Sequence, residues 1–430
     1  MASRRPLRQA EVLRTVETKM ILERRGLLKL ASTALAAPAV MSHAALGADP
    51  VKVVGIHDTS GGLDIYGQPM VACLDYAVAE LNEAGGLLGR PVQLINYDPQ
   101  SNIQLYTQFA TQAATRDRAA VVHAGITSAS REAIRPVLRR YNTLYFYNTQ
   151  YEGGVCDRNS FCTGSTPAQN VNKLVPYVLS NWGKRIYVVA ADYNYGQITS
   201  KWIAKYAREG GGEAVAVDFF PLDVTDFGAA IKKIQAAKPD AVVSALVGGN
   251  HVGFYRQWAA AGLKGSVPVA STTLGGGNES LLLTPEEGNG IVSAFSYFQE
   301  VDTPANTAFL ARFRAKLGAR TPYLGAELAM RTYTGFQLWA EGVRRAGAID
   351  RMKVIEALES GITHEGPAGR TVLDPKTHHA TLDVHLARVE NRGFRVLQTF
   401  PQQPPSDTAS VCDLAANPGS NQQHVVDVRT

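Results

Sequence analysis

Short β-branched runs alternate with amphipathic stretches from Val51 onward. This rhythm predicts a parallel sheet covered by helices on both faces. A first set of strands is expected at residues 51–57, 91–97, 119–124 and 143–148, and a second at 185–191, 214–220, 240–247 and 267–271. Two sets of the same rhythm predict two lobes of one design. A helix is expected over residues 68–84. There Val71, Leu74, Ala77, Val78 and Leu81 fall on one face, Asp75, Glu80 and Glu83 fall on the other, and Gly85-Gly86 stops it.

Ahead of this alternation, Arg24-Arg25 precede an Ala/Leu-rich run that ends in small residues, Ser42-His43-Ala44. Pair, apolar run and cleavage-like residues arrive in the order of a twin-arginine export signal. The run is interrupted by Lys29, Ser32 and Thr33 and falls short of the roughly 20 residues that span a bilayer. Residues 1–44 are therefore read as a removable signal, with no membrane span after processing. Met20 is placed where a start codon gives a signal of conventional length. Export matters because α/β lobes in the cytoplasm are most often nucleotide-dependent enzymes, and outside the inner membrane there is no NAD or ATP pool.

Processing also changes the charge. Residues 1–44 hold eight Lys/Arg and three Asp/Glu of the chain's 43 and 38, so the remainder carries 35 of each. A neutral body argues against nucleic acid or an anionic membrane surface as partner. Of the four cysteines, Cys156 and Cys162 enclose a short polar stretch, and a disulfide between them is expected in an oxidising compartment. Cys73 lies on the apolar helix face, and Cys412 in a Pro/Gln/Asn-rich segment, 401–430, that reads as a poorly ordered tail.

Ligands of open α/β sheets sit beyond the carboxyl ends of the strands. Here the loops at those ends are rich in hydroxyls and tyrosines: Asp58-Thr59-Ser60, Ile126-Thr127-Ser128, Tyr147 to Gly153, Asp192-Tyr193-Asn194-Tyr195 and Val247-Gly248-Gly249. The sequence lacks Gly-x-Gly-x-x-Gly after a strand, the phosphate loop, the Gly-x-Ser-x-Gly elbow and His-Glu-x-x-His. An enzyme reading thus has no nucleophile or metal to build on. No metal and no cofactor are expected, and His378-His379 are read as surface or packing residues because adjacent side chains point apart.

The opening strand with Thr59-Ser60-Gly61, the segment Asn82-Glu83-Ala84-Gly85-Gly86-Leu87-Leu88-Gly89-Arg90 and Tyr97-Asp98 resemble the leucine-type periplasmic binding proteins of ABC importers, over roughly residues 51–400. Tyr147 to Gly153, Gly164 to Asn170 and Asp192 to Tyr195 resemble the branch that binds urea and short aliphatic amides. The resemblance implies two doubly wound parallel-sheet lobes joined by a three-crossover hinge, with residues 50–164 and 298–378 in one lobe and 165–297 and 379–400 in the other. It implies solute contacts at Thr127, Ser128, Tyr147, Thr149, Tyr193 and Tyr195, and an ABC permease as partner. The amino-acid-binding members hold the ligand's ammonium with a carboxylate where this chain reads Thr272-Thr273-Leu274-Gly275-Gly276-Gly277. A buried ammonium left unpaired costs several kcal/mol, so the expected guest is a small neutral polar solute. Glu279 and Asp192 are the two carboxylates placed to restore that pairing. Branched-chain or other amino acids, or a sensing role on the same hinge, are the alternatives.

Overall fold

The computed structural model describes residues 49–325 and 327–425; the predicted export segment lies outside them. Five parallel strands form the first sheet: β1 Val51–Ile56, β2 Val92–Tyr97, β3 Val121–Ala124, β4 Leu144–Tyr147 and β6 Ser160–Cys162, in the order β2-β1-β3-β4-β6. A short strand, β5 Val155–Asp157, lies outside it. Helices α1 Asp64–Glu83, α2 Ile103–Thr115 and α3 Ser128–Arg140 connect β1 to β4.

The second sheet repeats the plan. After α4 Val171–Asn181 come β7 Arg185–Ala191, β8 Glu213–Phe220, β9 Ala241–Ala245, β10 Val269–Ser271 and β11 Val292–Phe295, in the parallel order β8-β7-β9-β10-β11. Helices α5 Asn194–Glu209, α6 Gly228–Ala237, α7 Gly249–Ala260 and the single turn α8 Pro285–Gly288 join them. The chain then returns to the first lobe as α9 Pro304–Leu317, α10 Glu327–Ala346, α11 Arg351–Glu359 and the hairpin β12 Thr363–Gly366 and β13 Gly369–Leu373. It then joins the second sheet as two antiparallel strands, β14 Ala380–Glu390 and β15 Gly393–Gln403, and β13 pairs with the first residues of β14, so the hairpin is hydrogen-bonded to that sheet as well. The predicted strands and helix are thus present, with α1 starting four residues early.

Each sheet is sandwiched by apolar clusters. In the first lobe one cluster joins Leu74, Phe336 and Trp339 and another joins Tyr106, Ile134 and Leu138. In the second, Trp202 and Ile203 cover one face and Phe254 and Trp258 the other. Central strands are buried on both sides, so β1, β3, β7 and β9 read as continuous apolar runs and not as alternating ones.

The chain passes between the sheets at residues 163–170, 296–303 and 374–379. These crossings are tied by buried polar groups. Glu327, fully buried, accepts from the backbone N–H and hydroxyl of Ser165 at 2.5 and 2.9 Å and from the N–H of Ser296 at 2.8 Å. Arg331, one turn along α10, donates to the Ser296 hydroxyl and carbonyl at 2.8 and 2.9 Å and to Thr371 at 2.9 Å. Gln169 donates to the carbonyls of Ala380 and Gln403 at 2.9 and 2.8 Å, linking the first crossing to the third.

Two expectations about cysteine and the C-terminus are corrected. The disulfide joins Cys156 to Cys412, and Cys162 is a free, buried thiol, as is Cys73. Cys162 belongs to β6, which pairs with β4 and turns its side chain into the core beside Tyr147 and Tyr151, where burial pushes the thiol up to about 12. Cys156 belongs to β5, which pairs instead with a C-terminal strand, β16 Asn421–Gln423. Residues 404–425 are therefore a structured segment, with a helical turn α12 Ser406–Ala409 and the small apolar cluster Cys156, Cys412 and Leu414. Polar composition misled there because the segment is held by a disulfide and by side chains of α3, not by a core of its own. His378 and His379 pack inside: His378 stacks on Phe161 with ring centroids 4.1 Å apart, and His379 meets the Tyr151 hydroxyl.

Replacing Glu327 by Leu is expected to cost about 2–4 kcal/mol in urea unfolding, because two backbone donors and one hydroxyl lose their acceptor inside the protein. Glu327→Gln should cost clearly less. Equal losses for the two variants would show that shape, not hydrogen bonding, holds the crossings.

Candidate functional site

In both sheets the strand order reverses beside the first strand, between β1 and β3 and between β7 and β9. Loops leaving neighbouring strands there diverge and open a crevice. The two crevices meet in a cavity of about 30 Å³ lined by Tyr66, Ile126, Thr149, Gln150 and Leu328 from one lobe and Tyr193, Tyr195, Val247, Thr273 and Gly276 from the other. At about 10–15 Å³ per water on this measure, it has room for two to three waters.

Three of the six expected contacts line this cavity: Thr149, Tyr193 and Tyr195. Thr149 donates to the Gly125 carbonyl at 3.2 Å, and Tyr195 to the Thr272 hydroxyl at 2.9 Å. Each hydroxyl keeps an acceptor site for a guest's N–H. Burial pushes both tyrosine phenols up, so Tyr193 and Tyr195 stay neutral O–H groups across the physiological range.

The other three stand behind the wall. Thr127 is the N-cap of α3: its hydroxyl accepts from Ser130 N–H at 3.1 Å, while the Ser130 hydroxyl accepts from the N–H of Thr127. Ser128 donates its hydroxyl to Glu152. Tyr147 donates to the Ile126 carbonyl at 2.9 Å and so braces the loop that reaches the cavity. Beneath them lies a charged pair that was not expected from the sequence. Arg131 and Glu152, both buried, meet at 2.9 Å, with the guanidinium 5.1 Å above the Tyr147 ring and 4.5 Å above that of Tyr151.

Tyr66, Gln150 and Thr273 were not singled out from the sequence. Gln150 crosses the cavity: its amide donates to the Thr272 carbonyl at 2.7 Å and accepts from Asn170 at 3.0 Å. Tyr66 also crosses, its hydroxyl accepting from Gly248 N–H at 3.1 Å. The one local signal for this was Pro69. A proline inside a helix leaves the carbonyl four residues earlier without its donor; here that carbonyl, Ile65, accepts from Asn278 N–H of the opposite lobe at 3.4 Å. Gly277 makes the approach possible, since a Cβ there would lie 2.2 Å from the Ile65 oxygen.

Of the two reserve carboxylates, Asp192 is exposed and accepts from Gln197 at 2.9 Å. Glu279 is buried. One oxygen accepts from Gly277 N–H at 3.0 Å and from Gly275 N–H at 3.3 Å, and the other has no hydrogen-bond partner. Burial pushes its pKa up to about 7 and pushes that of His251, 3.8 Å away, down to about 3.

A family model described as "Periplasmic binding protein" matches residues 50–393. The Leu/Ile/Val-binding protein homolog 4 of Brucella abortus (strain 2308) is 23% identical over 400 residues, spanning 86% of this chain and 94% of the relative. Homolog 7 of Brucella suis biovar 1 (strain 1330) is 24% identical over 368 residues, spanning 79% and 88%. Among solved structures, the solute binding protein of an ABC transporter from Rhodopseudomonas palustris HaA2, in complex with p-hydroxybenzoic acid, superposes with a TM-score of 0.75 at 24% identity, covering 84% of this chain and all of that one. The leucine-, isoleucine-, valine-, threonine- and alanine-binding protein of Brucella ovis, in its closed conformation, superposes at 0.73 with 21% identity, covering 83% and 97%. At these identities the likeness to solved structures is one of fold.

Because Glu279 holds in the folded state a proton that the unfolded chain releases above about pH 4.5, its contribution to stability is lost as pH rises toward 7. The difference in unfolding free energy, wild type minus Glu279→Gln, is therefore expected to fall between pH 4.5 and 7.5. Denaturant titrations at four pH values read it directly, and a difference that stays flat or rises contradicts the assignment.

Proposed function

The chain belongs to the periplasmic binding protein family, as a binding protein and not an enzyme, and from that premise we propose that it is the solute receptor of an ABC importer. Its fold is the type I periplasmic-binding fold. In this reading the two lobes close by hinge motion over one small solute, and the closed form is presented to a permease in the inner membrane after export. The observation that carries the reading is the placement of the cavity, at facing strand-order reversals and lined from both lobes.

For the guest itself we propose urea or a short aliphatic amide. The cavity is small, and its lining holds hydroxyls, a carboxamide, aromatic faces and aliphatic groups with no charged side chain. Such a wall suits a flat, uncharged group that offers N–H donors and one carbonyl. A second reading has support of its own: the unpartnered oxygen of buried Glu279, whose other oxygen accepts from the two residues flanking Gly276 of the cavity wall, favours a guest with a cationic nitrogen, such as an amino acid.

A thermal-shift panel of urea, formamide, acetamide, leucine, valine and 4-hydroxybenzoate on the mature protein separates these readings. A ligand present at 100 times its Kd adds about 2.7 kcal/mol of stability. Urea or an amide is expected to raise the Tm. A rise with leucine, valine or 4-hydroxybenzoate alone contradicts the choice of guest, and no rise with any of them removes the support for this panel of solutes. Tyr195→Phe, which deletes only a hydroxyl, is expected to raise the Kd of the responding ligand about tenfold, about 1.4 kcal/mol, with the apo Tm nearly unchanged.

A further inference from the structure

Residues 404–425 form a path from one lobe to the other. They leave the second sheet at Gln403, where β15 ends against β14. Asp407 in α12 then accepts from Thr166 hydroxyl at 2.7 Å and from Ala168 N–H at 2.9 Å, docking the segment on the first crossing. Cys412 is bonded to Cys156 of the first lobe. Further on, β16 pairs with β5, and three arginines spaced one turn apart on α3 grip it. Arg139 donates to the carbonyls of Gly419 and Ser420 at 2.9 and 2.8 Å, Arg135 to Asn421, and Arg131 to Gln423 at 2.6 Å.

The far end comes back to the second lobe. Gln423 and Val425 line a groove with Asn194, Gln197, Ile198 and Lys201 of α5, the helix that begins beside Tyr193. The segment thus starts on the second lobe, is fixed covalently to the first, and ends across a groove from the second, near the rim where α3 and α5 face each other.

We infer that residues 404–425 are a fourth tether between the lobes, locked by the Cys156–Cys412 disulfide, that limits how far the cleft opens. The inference rests on the two-lobed hinge reading given above. Eight residues lie between Gln403 and Cys412, a reach of about 30 Å at full extension, and α12 takes up part of it at about 1.5 Å per residue. Wide separation of the lobes therefore requires α12 to leave Thr166 and Ala168. With the disulfide broken, only non-covalent contacts hold the segment, among them Asp407 on Thr166 and Ala168, the paired strand and the arginines, and these can detach one by one.

Two backbone amides report lobe separation. Gly248 and Asn278 donate across the cleft, to Tyr66 hydroxyl and Ile65 carbonyl. Hydrogen exchange at both is compared in wild type and Cys412→Ser, with Val53 and Val188, central in the two sheets, as references. The same measurement on folded wild type treated with a dithiol covers a variant that fails to fold. There the S–S bond takes up two electrons and two protons to give two thiols, and the reagent closes into its own disulfide. Exchange at Gly248 and Asn278 is expected to rise at least tenfold on loss of the disulfide while the references hold. Equal, readily measured exchange in both forms overturns the tether and leaves the hinge standing. An equal rise at the reference amides also overturns it, since the bond would then support overall stability only. Core-like slow exchange at Gly248 and Asn278 in every form overturns the hinge reading, and the inference with it.

Discussion

The structure depends on one expensive arrangement, a carboxylate with no exposed surface held where two crossings of the chain meet. Glu327 gathers two donors from Ser165 and one from Ser296, so the charge is distributed over short hydrogen bonds and the crossings are held in register. An isolated carboxylate in that place costs several kcal/mol, and one fully supplied with donors does not. Arg331 holds the second crossing again at Ser296, and Gln169 ties the first crossing to the strands that follow the third, at Ala380 and Gln403. The result is a fixed seam between two sheets, and one apolar cluster runs across it, joining Tyr66, Met70, Ile126 and Leu328 to the core of the second lobe.

The cleft follows from that seam. Because the lobes share a topology and are joined at one side, their strand-order reversals face each other, and the loops there meet across a small cavity. Much of the polarity near it is already engaged inside the protein: Thr127 caps α3, Ser128 serves Glu152, and Tyr147 supports Ile126. The polar part of the cavity wall itself is the ring of Tyr66, Thr149, Gln150, Tyr193, Tyr195 and Thr273. The carbonyl of Ile65, freed by Pro69, accepts from Asn278, so a local helix defect supplies a hydrogen bond between the lobes.

Most of the fold was legible because both kinds of period are strong here. Buried parallel strands such as Val121–Ala124 and Ala241–Ala245 are short apolar runs bounded by turns, and α1 has a clean apolar face closed by Gly85-Gly86. The loops of the site were legible for the same reason, since strand ends locate them. Which residues within those loops reach the cavity was not, because Thr127 as a cap and Thr149 as a wall residue look alike without their partners. Nor was the Cys156–Cys412 bond, formed across 256 residues by a segment whose polar composition hides its anchoring arginines.

A crystal structure of the mature protein with the solute that binds it best tests the central claim most directly. The account predicts the solute enclosed between the lobes, with its polar atoms on Thr149, Tyr193 and Tyr195 and no carboxylate of the chain in contact. A solute bound elsewhere, or one whose cationic nitrogen is held by Glu279, would contradict it.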